Sequence, residues 1–251
     1  MKVLTFDVSG YMAHFRKHFS TTSSLSYMFP PRTTICGMIA GIMGYDRDAY
    51  YDDFASEKCG IALRLMKPVR RLLQTVNFLM TDEEAISFFK SRFRWKETPA
   101  QIRQELILSD EKNLSEIRYR VFLSHENEEI IEELEERLRE RRFHYPPSLG
   151  TANNLATVNY VDTVDAEIFE TDEEVEIFTV IPASIIDSIK PYPGLEIYRE
   201  ELVPADFSAG RTIKRIETYI YERSGKPLRV RVKGKLFKCK VEGEEIVGAF
   251  M

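Results

Sequence analysis

Within the first 145 residues the spacing of apolar side chains switches from two to about 3.6, back to two and again to 3.6, and few folds tolerate that order. Leu4, Phe6 and Val8 alternate with Val3, Thr5 and Asp7, the period of a strand with a buried face. Pro30 and Pro31 then fix the backbone ahead of Ile35, Met38, Ile39, Ile42 and Met43, whose spacing predicts a helix beginning near Arg32. Gly37, Gly41 and Gly44 recur along it, a costly choice unless that face lies close to another backbone.

Cys59, Ile61, Leu63 and Leu65 alternate again as a second strand, and Val69 to Met80 is expected to return antiparallel to it. The segment from about residue 67 to 108 has no clean period and reads as an inserted hairpin. Ile117, Tyr119, Val121 and Leu123 form one face of a third strand whose other face carries Arg118 and Arg120. A helix follows with Ile130, Ile131, Leu134 and Leu138 on one side, glutamates first and arginines last, as the macrodipole favours. Strand, helix, strand, insertion, strand, helix is the beginning of a split βαβ, or ferredoxin-like, order. Beyond it the pattern is mostly strand: Val175 to Ile181, Glu196 to Leu202, Ile213 to Tyr221 and Leu228 to Val232. The apolar phase shifts across Lys233, Gly234 and Lys235, which predicts a turn or bulge. Pro146 and Pro147 mark the expected boundary between a domain at 1–155 and a smaller β-rich domain at 156–251.

A net charge of −5 conceals strong polarisation. From Val8 to Tyr45 there is no acidic residue; between Arg64 and Arg103 nine basic residues face four acidic ones, and between Arg211 and Lys240 eleven face two. Thirteen acidic residues between Asp162 and Asp206 meet only Lys190 and Arg199, so one face can attract phosphate while another repels it. The competing reading is a set of solvated charged faces with no ligand.

Cys36, Cys59 and Cys239 form no CxxC pair, so buried free thiols are expected, with no disulfide framework or metal site. GxSxG, P-loop and GxGxxG patterns are missing, as is the aromatic stacking signature of an RRM, which removes the motif support for hydrolase and nucleotide-cofactor chemistry. No cofactor is expected. No stretch approaches the roughly 18 to 20 apolar residues of a membrane span, so a cytoplasmic location is expected.

The most informative segment is Tyr27 to Tyr45, in which Tyr27, Met28, Phe29, Pro30, Pro31, Arg32, Thr33 and Thr34 lead into the glycine-spaced helix. It closely resembles the N-terminal motif of the CRISPR-associated RAMP family commonly called Cas-five. Tyr145, Pro146, Pro147, Ser148, Leu149, Gly150 and Thr151 resemble that family's Leu-Gly-Thr/Ser turn after the second helix. The glycine-rich loop near the C-terminus of many RAMP proteins is not evident. The resemblance implies an α+β, RRM-like palm with a β-hairpin thumb. It also implies a role as the subunit of a type I Cascade complex that caps the 5′ handle of crRNA, contacting the backbone and large subunits and reaching target DNA only through them.

Helix N–H groups at Arg32, Thr33 and Thr34, with that cation and two hydroxyls, are expected to hold RNA phosphate. Arg16, Lys17, Tyr27, Arg64, Arg70, Arg71, Arg118 and Arg120 are the further expected RNA contacts, with Arg92, Arg94 and Lys96 adding to the thumb's charge. No catalytic role is expected. The alternatives are a metal-independent ribonuclease acting through the RNA's own 2′-OH, for which Tyr119, His125, Lys17 or His18 are the nearest candidates, and a protein-interaction module without RNA. No compact tyrosine, lysine and histidine set is legible in the sequence.

Overall fold

The computed structural model describes residues 1–20, 24–78, 83–93, 100–113 and 115–251. The expected thumb cations Arg94 and Lys96, and Thr21, Thr22 and Ser23 of the polar loop, lie outside the described residues. The chain opens with β1 (Lys2–Gly10), the short strands β2 (Phe15–Arg16) and β3 (Ser26–Tyr27), then α1 (Arg32–Met43) and β4 (Cys59–Leu65). β5 (Val69–Phe78), α2 (Glu83–Arg92) and β6 (Ala100–Ser109) form the insertion, followed by β7 (Ile117–His125), α3 (Glu128–Glu140) and β8 (Thr157–Asp165). Without the insertion this is strand, helix, strand, strand, helix, strand, in one antiparallel sheet ordered β4-β7-β1-β8.

Alternation decides what each face of that sheet meets. Leu4, Phe6 and Val8 of β1, Ile61, Leu63 and Leu65 of β4, and Tyr119, Val121 and Leu123 of β7 pack with Ile35, Ile39 and Ile42 of α1 and Ile131, Leu134 and Leu138 of α3. α3 is started by Asn127, whose side-chain oxygen accepts from the Glu129 N–H, and is ended by Arg141 in the left-handed conformation. α1 has no such side-chain cap; Pro31 precedes it, and Gly44 at φ 88° closes it. Gly37 and Gly41 do not serve a close backbone approach: a Cβ at Gly41 would meet nothing, and one at Gly37 would meet only the Tyr50 hydroxyl. Gly150 is different. At φ 96° its hydrogen faces the His14 carbonyl so closely that a Cβ would lie 2.0 Å from that oxygen, which gives the Leu149–Gly150 turn its glycine.

The second half contains β9 (Glu167–Phe169), β10 (Val175–Ile177), β11 (Ile181–Pro182), β12 (Ile186–Ile189), β13 (Ile197–Ser208), β14 (Thr212–Glu222), β15 (Leu228–Val232), β16 (Leu236–Val241) and β17 (Glu244–Gly248). It forms three small antiparallel sheets, β10-β15-β12, β11-β14-β13 and β17-β16-β9. The phase shift at residues 233–235 has a simple cause, because β15 belongs to one of these sheets and β16 to another.

The division expected at 155/156 is not a seam. β8 lies just beyond it and is the fourth strand of the first sheet. Val203, Tyr219 and Tyr221 of β13 and β14 share a core with α1 and β1, while Phe237, Cys239, Val241 and Ile246 cover Val3, Ala62 and Phe122 on the sheet's other face. The outer edge of β4 is occupied as well, by the Val180 and Met251 N–H groups, which donate to Leu63 and Ile61.

The insertion is a hairpin as expected, but β5 pairs with β6 through ten residue pairs from Val69–Ser109 to Phe78–Ala100 and not with β4. The sequence reading missed α2, although Glu83 and Glu84 in its first turn and Lys90 and Arg92 in its last are the charge order a helix favours. Among the described residues the hairpin is packed at its base, through buried Val69, Gln104, Glu105 and Ile107 and through backbone bonds that join Ala13 to Ile107 and Ser24 to Glu105. None of the described side chains from Thr75 through Arg103 is buried. Gln74 lies opposite Gln104, so an Asn-Gly turn can replace residues 75–103. That variant is expected to melt within about 3 °C of the intact chain, the shift of a change near 1 kcal/mol in a chain this long. A drop several times larger in a thermal scan would show that the tip carries part of the core.

Candidate nucleic-acid interface

Arg32 occupies the first turn of α1, as expected, but its side chain turns inward and is 1% exposed. Nη1 donates to the Asp206 carboxylate at 2.7 Å and the Ala205 carbonyl at 3.2 Å, and Nη2 donates to the carbonyls of Phe54 and Cys59 at 2.8 and 2.7 Å. The expected phosphate contact at Arg32 is therefore corrected: its cation closes a core network. Thr33 donates to the Pro204 carbonyl, and Thr34 lines a separate groove of about 240 Å³ with Gly37, Gly41, Tyr145 and Pro146.

Arg64 and Arg120 are corrected in the same way. They face each other on β4 and β7, an arrangement of like charges that needs anions. Asp7, opposite Arg120 on β1, accepts at 2.7 and 3.1 Å, and Glu242 lies 2.8 Å from the same guanidinium. Glu244 accepts from Arg64 at 2.9 and 3.3 Å, while the Arg64 guanidinium lies 4.6 Å over the Phe178 ring. Arg118 and Arg16 are exposed, Arg16 donating to the Ser20 carbonyl at 3.2 Å, and neither lines the cleft described next.

Lys17, Arg70 and Arg71 do converge. They line a cleft of about 390 Å³ where the base of the hairpin meets β13 and β14, together with Met28, Tyr198, Arg199, Glu200, Tyr221 and Arg223. The lining holds five cations and one carboxylate. Their engagement differs. Arg223 is fully held, donating to Glu196, to Asp110 at 2.6 Å and to the Val69 carbonyl at 3.0 Å. Lys17 pairs with Glu200, which is buried on the cleft floor, and its ammonium lies 5.1 Å over the Tyr27 ring. Arg71 reaches the Ser26 carbonyl at 3.3 Å and lies 3.4 Å from Glu105 and 3.8 Å from Glu200. Arg70 is 47% exposed with its nearest carboxylate, Asp110, at 3.9 Å, and Arg199 is 62% exposed beside its surface neighbour Glu201. Tyr198 and Arg199 were missed from sequence because they lie in the acidic stretch, and Arg223 because nothing local separates it from the other cations between Arg211 and Lys240.

Tyr27 is corrected from a contact to a support. It is buried, its hydroxyl donates to the Leu202 carbonyl at 2.5 Å, and burial pushes the phenol far above its ordinary value. Since that proton is committed, the 3.1 Å contact with His18 requires His18 Nδ1–H to donate to the Tyr27 oxygen. Tyr119 is also buried and donates to the Met28 carbonyl at 2.8 Å. His125 lies 2.8 Å from the Asp53 carbonyl through Nε2 and accepts from the Asn127 N–H through Nδ1, which places it at the start of α3. The compact set not legible in sequence is Lys17, His18 and Tyr27, brought together by the pairing of β2 with β3.

The three cysteines are buried and free, and burial pushes the Cys36 and Cys239 thiols up to about 11. Among the described residues no cluster of histidine, cysteine, aspartate or glutamate is arranged for a metal, and no helix is long and apolar enough to cross a membrane.

A model of the CRISPR-associated protein (Cas_Cas5) family matches residues 3–198, and the chain belongs to that family. A crystal structure of a CRISPR protein from Archaeoglobus fulgidus has the same overall fold, with a TM-score of 0.53 at 18% identity over 99% of each chain. A chain of a CRISPR RNA-guided surveillance complex aligns with a TM-score of 0.49 at 14% identity, over 98% of this chain and 91% of that one. No curated protein sequence matches.

The Arg32 network gives a test of its own. Burial opposes ionisation of Asp206, yet the Ser56 hydrogen bond and the Arg32 charge outweigh it and hold the carboxyl below its ordinary value. A carboxyl depressed on folding stabilises above its unfolded pKa, near 3.9, and that stability is lost as pH falls through the folded value. Asp206→Asn is expected to lose about 3–5 kcal/mol at neutral pH, because Arg32 stays buried without its anion, and to show a smaller loss on acidification below about pH 4. Urea unfolding at pH 7 and pH 3.5 measures both, and equal losses in the two proteins would remove the pair from its assigned role.

Proposed function

We propose that this chain is the non-catalytic subunit of a type I Cascade complex that binds and caps the 5′ handle of crRNA in the cytoplasm. Its first sheet, with strand order β4-β7-β1-β8 and both helices on one face, supports a ferredoxin-like RAMP palm, and the β5–β6 hairpin supports a thumb that closes on RNA or a backbone subunit. The observation that carries the reading is the cationic cleft at the thumb's base, where Arg70 and Arg199 keep exposed guanidiniums. Partners in this reading are crRNA and the backbone and large subunits, with target DNA met through the assembled complex.

Each phosphate neutralised on a single strand contributes about −0.7 to the slope of log affinity against log salt. With contacts from Arg70, Arg71 and Arg199 the slope is expected near −2, and Arg70→Ala or Arg199→Ala should flatten it by about 0.7 each. A filter-binding titration with repeat-derived RNA measures this, and a flat titration would favour a protein-only interaction module.

The ribonuclease reading has one observation in its favour, the Lys17, His18 and Tyr27 cluster at the cleft margin. His18 is exposed, and its Nε2 is left as a candidate base by the Nδ1 contact to Tyr27. Against it, Tyr27 is buried with its proton committed and Lys17 is paired with Glu200. Repeat RNA incubated with the protein in EDTA is expected to remain whole over hours. Cutting at one site, abolished by His18→Ala, would exchange the two readings.

A further inference from the structure

The cleft contains an aromatic surface that salt-dependent phosphate binding does not require. Tyr198 is 46% exposed although it sits on a paired strand, directly opposite Tyr221. The two rings lie 5.9 Å apart at 31°, and buried Tyr221 is itself held edge-on by Phe29 at 5.2 Å. Tyr198 is thus braced on one side and open elsewhere to the cleft and solvent. Arg199 follows it in sequence, Arg70 lines the same cleft, and these are the two most exposed cations of the lining, Arg199 paired at 3.1 Å only with the equally exposed surface carboxylate of Glu201.

We infer that the cleft seats one unpaired, extruded nucleotide, its base stacked on the Tyr198 ring and its flanking phosphates held by Arg70 and Arg199. This rests on the handle-binding reading and specifies its geometry. The volume suits it: about 390 Å³ falls in the range of clefts that take a small ligand. The chemistry suits it as well, because every base offers a π-face whatever its sequence, and an exposed ring braced by another aromatic loses little freedom on stacking. Glu200 on the floor is already neutralised by Lys17 and approached by Arg71 and the Met28 N–H, so it presents no free negative charge to the incoming phosphates. Recognition at this seat is therefore of an unstacked base rather than of a particular one.

The test combines protein and RNA changes. Full-length protein is titrated with repeat-derived single-stranded RNA in which each handle nucleotide in turn is made abasic. Tyr198→Ala and Tyr198→Leu are expected to weaken binding roughly 5- to 150-fold, while Tyr198→Phe stays within about twofold, since it keeps the π-face. One abasic position should cost the intact protein a similar factor and cost Tyr198→Ala almost nothing, the non-additivity expected of two changes that remove a single contact. Tyr198→Leu keeps an apolar strand residue, so its loss of binding with an unchanged melting temperature separates stacking from misfolding. Tyr198→Ala binding as tightly as the intact chain, or losses that add at every abasic position, would overturn the stacking seat and leave handle binding in place. Failure of the intact chain to bind this RNA would remove the handle-binding reading and the seat with it.

Discussion

The buried ion pair between Arg32 and Asp206 is the constraint on which the rest of the architecture turns. A guanidinium presents five N–H donors in a fixed fork, and here four of them are taken by three carbonyls and one carboxylate. Those acceptors come from the turn after α1, the first residue of β4 and the far part of β13, so one side chain ties the start of the first helix to both halves of the chain. Asp206 extends the tie by accepting from the Ser56 hydroxyl and N–H and from Arg215. Burying two charges in this way is costly in itself, and a hydrophobic pair of the same volume can match its stability. What the ionic version adds is geometry: only one placement of β13 against α1 satisfies the fork.

That placement decides which basic residues remain exposed. The sheet face carrying Arg64 and Arg120 would be the obvious basic platform, yet β16 and β17 lie across it, and Glu242 of their connecting turn reaches Arg120 while Glu244, the first residue of β17, reaches Arg64. A sheet closed on both faces leaves the junction of hairpin and β13 as the remaining concave, positively charged region among those already expected to contact RNA. Glu242 and Glu244 thus neutralise the two arginines that would otherwise give this face its positive charge.

Most of the first half was legible in the sequence because its signals are local. Period two at Leu4, Phe6 and Val8, period 3.6 at Ile35, Ile39 and Ile42, and the proline pair before Arg32 each report on one element. The hairpin was legible as an interruption, but its partners were not: Val69 to Phe78 alternates as well against β4 as against β6, and the register is set by tertiary context. The fates of Arg32, Arg64 and Arg120 were illegible for a related reason. Each has a partner more than a hundred residues away, and a cation reads identically in sequence whether its anion is a phosphate or a distant carboxylate. The same blindness hid Tyr198 and Arg199, which stand in a run of acidic residues, one of which, Glu200, is neutralised by Lys17 from the far end of the chain.

The cleft separates two kinds of positive charge, and the separation matters more than their number. Arg223 and Lys17 are engaged by carboxylates and fix the walls, so their charge is largely cancelled at distances beyond a few ångströms. Arg70 and Arg199 are exposed, and salt screens their weak surface pairings within about 10 Å, so phosphate can displace those neighbours at little cost. A protein of net charge −5 can therefore keep a locally positive cleft beside the acidic stretch from Asp162 to Asp206. Under the handle-binding proposal, an acidic surface beside a basic cleft also discourages non-specific binding elsewhere on the molecule, which leaves the cleft's two most exposed arginines to set where a strand would settle.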